Sequence, residues 1–106
     1  MATSTSTTTM AARLISVEFE VFGKVQGVFF RKYTQQEAGK LKLVGWVMNT
    51  TKNTVTGRMQ GKDEAIKKMK EWLKNTGSPK SKIERVEFKN EKEIAKTEFT
   101  SFEIKK

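Results

Sequence analysis

Residues 14–22 read LISVEFEVF and run straight into residues 23–31, GKVQGVFFR. In the first part Ile15, Val17, Phe19 and Val21 alternate with Ser16, Glu18 and Glu20. A period of two puts the apolar set on one side of an extended chain, so this part predicts a half-buried strand from Leu14 to Phe22. The second part breaks the alternation with two glycines and then turns helical. Phe30, Tyr33 (or Thr34), Ala38 and Leu41 fall on about one helical face. Gly39 weakens that helix by roughly 1 kcal/mol relative to Ala, which places it near the helix end. The domain therefore opens with a strand, a glycine-bearing turn and a helix in direct succession.

Downstream, Leu43–Asn49 and Thr54–Gln60 predict two strands, and the short link Thr50-Thr51-Lys52-Asn53 predicts a hairpin between them. Asn53 suits the left-handed position of that link, because Asn tolerates positive φ better than most residues. Gly61-Lys62-Asp63 opens a second helix, with Asp63 and Glu64 where negative charge complements the helix dipole. Ile66, Met69 and Leu73 form its apolar stripe, and Asn75-Thr76-Gly77-Ser78-Pro79 ends it. A strand near Ile83–Phe88, a charged turn and a last strand near Phe99–Ile104 follow. Strand, helix, strand, strand, helix, strand is the βαββαβ order of an α+β, ferredoxin-like domain. It predicts an antiparallel sheet with two helices on one face and an extra C-terminal strand.

With 106 residues the chain suits one domain. Residues 13–106 are expected to form that domain. Residues 1–12, MATSTSTTTMAA, are Ser/Thr-rich and uncharged, and predict a disordered tail. They lack the basic start and long apolar run of a secretory signal. No apolar run reaches the roughly 20 residues that span a bilayer, so no membrane partner is expected. The absence of cysteine rules out disulfides and sulfur redox chemistry and fits a reducing, cytoplasmic compartment.

Net charge is +9, and it is uneven. Between Arg31 and Lys62 the basic residues Arg31, Lys32, Lys40, Lys42, Lys52, Arg58 and Lys62 face the single acid Glu37. Such a surface captures small anions, attracts nucleic acid, or simply keeps the protein in solution. There is no His and no Cys. That removes the commonest general base, the phosphohistidine and phosphocysteine routes, and the nitrogen and sulfur ligands that zinc prefers. The adjacent acids Asp63-Glu64 fit a helix start better than a metal site. A catalyst built from this chain works by positioning and electrostatics, and no cofactor is expected.

Two segments suit such a catalyst. Gly23-Lys24-Val25-Gln26-Gly27-Val28-Phe29-Phe30-Arg31 joins a strand to a helix. Its glycines permit backbone in which successive N–H groups turn inward as an anion nest, and the helix start adds unpaired N–H groups. Arg31 adds a forked, permanent cation that matches phosphoryl oxygens. An ordinary strand–helix turn beside a surface arginine explains the same spacing equally well. The GxxxxGK[ST] and GxGxxG patterns are both absent. The second segment is Gly45-Trp46-Val47-Met48-Asn49-Thr50-Thr51. Asn49 ends a strand, and its amide both donates and accepts, which suits it to orient water or to satisfy turn backbone. Asn49-Thr50-Thr51 also spells a glycosylation sequon, but nothing else points to secretion.

Taken together, the two segments resemble the signatures of the acylphosphatase family. Gly23-x-Val25-Gln26-Gly27-Val28-x-Phe30-Arg31 is similar to the first, and Gly45-Trp46-Val47-x-Asn49, continued by Val55 and Gly61, to the second. The likeness runs from about Leu14 to the C-terminus. Asn53 departs from it, standing where the family usually has Gly, which implies altered turn stability rather than lost activity. The resemblance implies a metal-independent hydrolase of acyl phosphates, small-molecule substrates that yield inorganic phosphate. It implies that Arg31 and the amides of the Gly23–Phe30 loop bind the phosphoryl group and that Asn49 orients the attacking water. A monomer without a nucleic-acid partner is expected. An RNA-binding sheet is the first rival, but the RNP1 aromatic pattern is missing. A domain that keeps the fold and has lost catalysis is the second.

Overall fold

The computed structural model describes residues 13–105. The elements are β1 (Leu14–Lys24), α1 (Phe30–Lys40), β2 (Val44–Asn49), β3 (Val55–Lys62), α2 (Asp63–Asn75), β4 (Lys82–Ile94) and β5 (Phe102–Lys105). The strands form one sheet in the order β4-β1-β3-β2-β5. β1 pairs antiparallel with β3 and β4, and β2 with β3, while β5 runs parallel to β2. The ferredoxin-like order stands, and the added strand makes its sheet mixed. The tail expected over residues 1–12 lies outside the described residues.

The alternation in β1 sets the core. Ile15, Val17, Phe19 and Val21 are buried, and they join Val55 and Met59 of β3 with Phe30 and Ala38 of α1 and Ile66, Met69 and Leu73 of α2. One shared apolar cluster means that both helices cover the same sheet face. On α1 the buried polar residue is Thr34, while Tyr33 turns outward. Burying a Leu, Ile or Phe side chain contributes about 1.5–3 kcal/mol, so this cluster dominates the stability of the fold.

The opposite face carries the polar half of the alternation. Glu18 pairs with Arg58 and accepts a 2.8 Å hydrogen bond from Asn90 Nδ2. Gln60, wholly buried, donates from Nε2 to Ser16 Oγ at 3.1 Å and to Glu98 Oε1 at 2.9 Å, and accepts from the Glu98 N–H at 2.7 Å. The segment around Glu98 thereby covers the outer face, and the last strand starts only at Phe102 rather than near Phe99.

β4 is the larger difference, extending six residues past Phe88 to Ile94. Its second half, KNEKEI, has no apolar alternation and so gives no strand signal. Pairing with Ser16, Ile15 and Leu14 of β1 holds it, across a register shift where Asn90 adopts φ 55°. A second shift between Phe22 and Gly23 carries β1 on to Lys24. There Gly23 sits at φ 126°, and a Cβ would lie 2.1 Å from Lys82 O, so only glycine allows β4 so close.

Candidate active site

The turn between β1 and α1 is short, spanning residues 25–29. Val25 and Val28 are buried and pin it to the core at both ends. Between them Gly27 takes φ 76° with open space around it, and Phe29 takes φ 60° as the residue preceding α1. Left-handed residues are how a loop turns its N–H groups into a concave, anion-binding arrangement. The first intrahelical bond of this end runs from Tyr33 N to Phe29 O at 3.1 Å. The N–H groups before Tyr33 therefore have no intrahelical acceptor. No side chain caps this helix and no acid occupies its first turn. Its positive end is left un-neutralised, which favours an anion there.

Arg31 stands in that first turn. Its Nη1 donates a long 3.5 Å contact to Lys105 O, and it forms no ion pair with a carboxylate among the described residues. The guanidinium thus keeps most of its five donors for a ligand. Asn49 is the last residue of β2, opposite Val55. Its Oδ1 is buried without a hydrogen-bond partner among the described residues. An unpaired buried acceptor costs about 1–3 kcal/mol, so such an atom marks a place where a ligand or water completes the bonding.

These groups converge on one pocket of about 390 Å³, lined by Val25, Gly27, Phe29, Phe30, Arg31, Lys32, Asn49 and Ile104. Of the residues singled out in the sequence, Val25, Gly27, Phe29, Phe30, Arg31 and Asn49 are brought together here. Gly23 and Lys24 are placed in β1 instead, opposite Ile83 and Lys82. Val28 faces the core. The Gln26 side chain points to the hairpin, where Nε2 donates to Thr50 O at 2.9 Å and Thr54 O at 2.8 Å. That pair of bonds ties the loop to the segment that carries Asn49. Thr50 N–H closes the hairpin on Thr54 O at 2.9 Å, and Asn53 at φ 68° takes its left-handed corner.

Two lining residues were not anticipated. Lys32 follows Arg31 in a helix start without acids, and that uncompensated pair of cations was its available signal. Ile104 arrives on β5, through the parallel pairing with β2, and no local pattern announces it. Among the described residues no group of three or more His, Cys, Asp or Glu is placed to hold a metal ion. No helix among the described residues is long and apolar enough to cross a membrane.

Comparison with known proteins agrees with this architecture. The family model described as Acylphosphatase matches residues 17–104. Acylphosphatase-2 of Cavia porcellus is 56% identical over 95 residues, covering 90% of this chain and 96% of that protein. Acylphosphatase-1 of Gallus gallus is 58% identical over 93 residues, covering 88% and 94%. The crystal structure of acylphosphatase from Bacillus subtilis superposes with a TM-score of 0.78 at 35% identity, over 87% of this chain and 99% of that one. With the family model spanning nearly the whole described domain and relatives matched almost end to end, this chain belongs to the acylphosphatase family.

Proposed function

We propose that Arg31, the loop amides around Gly27 and Asn49 together perform the hydrolysis of acyl phosphates that defines this family. The observation that carries the reading is their convergence on one pocket at an uncapped, acid-free helix start. The phosphoryl group of the substrate lies against the loop N–H groups, with the Arg31 fork on its oxygens. Asn49 holds a water for attack on phosphorus. The new P–O bond forms as the bond to the carboxyl oxygen breaks, and the electron pair leaves with the carboxylate. The water proton passes to a phosphoryl oxygen, so the products are a carboxylate and inorganic phosphate.

This chemistry asks little of a general acid, because a carboxylate leaves readily, and the substrate itself supplies the base. A chain without histidine is sufficient for it. The rate comes from placing water and phosphorus in line and from stabilising equatorial charge. The same reading takes the enzyme as metal-independent, monomeric and cytoplasmic, built as one domain over residues 13–106. The absence of cysteine supports a reducing compartment. Release of inorganic phosphate from benzoyl phosphate in excess chelator tests the metal-independent reaction. Turnover that collapsed with chelator and returned with a divalent cation would remove that part of the reading.

A further inference from the structure

We infer that Gln35 is a positioning residue for this reaction: from α1 it fixes β5, and through β5 it sets where the Arg31 guanidinium rests. The inference rests on the reading above, in which Arg31 holds the phosphoryl group. Gln35 Nε2 donates a 2.9 Å hydrogen bond to Phe102 O. Arg31 and Gln35 are four residues apart in α1, so their side chains leave one face of the helix. Both reach the same strand. Gln35 meets the carbonyl of its first residue, Phe102, and Arg31 that of its last, Lys105.

β5 depends on such a hold. It has four residues, lies at the edge of the sheet and pairs with β2 alone. Parallel pairing is slightly weaker per residue than antiparallel pairing, and the outer edge of the strand has no neighbour in the sheet. The Phe102 side chain is buried and anchors the start of the strand. What β5 brings to the site lies past that anchor. Ile104 lines the pocket, and Lys105 O meets Arg31 Nη1 at 3.5 Å.

The two contacts from α1 are not equal. At 3.5 Å the one from Arg31 is longer than an ordinary N–H···O bond and does not hold the strand by itself. The 2.9 Å bond from Gln35 therefore sets the spacing between α1 and β5. Arg31 is then free to leave Lys105 O for phosphoryl oxygens without releasing the strand. An uncharged amide suits this place. It donates to a carbonyl without setting a carboxylate one helical turn from Arg31, where it would compete with the phosphoryl group.

The test compares wild type, Gln35→Met, Arg31→Ala and the double variant at equal folded content. Methionine keeps the length of the side chain and removes the donor. The readouts are turnover of benzoyl phosphate and affinity for inorganic phosphate by phosphorus NMR titration. Gln35→Met is expected to lower kcat about 3- to 10-fold, a fraction of the loss that an ångström of misplacement causes. Phosphate affinity should weaken about threefold in the otherwise wild-type chain and not change further in the Arg31→Ala background, because the effect passes through Arg31. Gln35→Ala, which also lacks the donor, should show the same coupling. An equal weakening in both backgrounds would overturn the inference. So would wild-type turnover and affinity with only a lowered urea midpoint, which is what a plain structural tether gives. If Arg31→Ala is inactive while Gln35→Met turns over normally, the Gln35 inference alone falls; if Arg31→Ala keeps full turnover and phosphate affinity, both fall.

Discussion

The Gln26 side chain donates a 2.9 Å hydrogen bond to the carbonyl of Thr50, the residue directly after Asn49. A second bond to Thr54 O fixes the same amide across the hairpin. The loop proposed to bind the phosphoryl group and the strand end that carries Asn49 are thereby held in one frame.

Replacing Gln26 with Ala removes both bonds. Each is worth about 0.5–1.5 kcal/mol net, so a loss of about 1–3 kcal/mol is expected in urea denaturation. The larger consequence is for catalysis. With loop and hairpin uncoupled, kcat should fall about tenfold or more in folded protein, while KM moves little, because misplacement of a reacting group by an ångström costs on the order of 100-fold. A variant that loses stability but retains full kcat would make Gln26 a purely structural tether.

On the proposed assignment of roles, Asn49→Ala separates water placement from phosphoryl binding. Turnover should drop about 100-fold, since in-line positioning is lost. Competitive inhibition by inorganic phosphate should stay close to wild type, because Arg31 and the loop amides remain. A rise in the phosphate inhibition constant with little change in turnover would make Asn49 a binding residue instead.

Glu18 gives a prediction about acid. The hydrogen bond from Arg58 first, and that from Asn90 second, hold its carboxyl below the usual Glu value. A depressed folded-state pKa stabilises the fold above the unfolded-state pKa of about 4.3 and loses that contribution as pH falls through the folded value. Because the pair is partly solvated, Glu18→Gln should cost at most about 1 kcal/mol at pH 7. The gap between variant and wild type should close as pH falls below about 4, read by urea midpoints across pH. A gap that persisted undiminished at pH 2 would show that packing, not charge, is what Glu18 supplies.

Much of this molecule was legible in its sequence because its signals are local and agree with one another. The alternation in Ile15–Val21 named the core face, and the stripe Ile66, Met69, Leu73 named the helix that covers it. Positive φ at Asn53 followed from what Asn tolerates. The second half of β4 was illegible because KNEKEI is held by cross-strand pairing to β1 rather than by any pattern of its own. Ile104 and the Gln26 bonds were hidden for the same reason: both depend on partners far along the chain, Val47 across the sheet and Thr54 in the hairpin. Gly23 read as a loop glycine, yet it serves the close approach of β4.

The most direct test of the account is the turnover of Arg31→Ala against wild type on benzoyl phosphate, in excess chelator and at equal folded content. Losing one charge-stabilising donor costs about 100- to 1,000-fold, and the guanidinium supplies more than one. The account predicts a folded variant with turnover reduced at least that much. Turnover within a few-fold of wild type would contradict it and move the phosphoryl group to another part of the molecule.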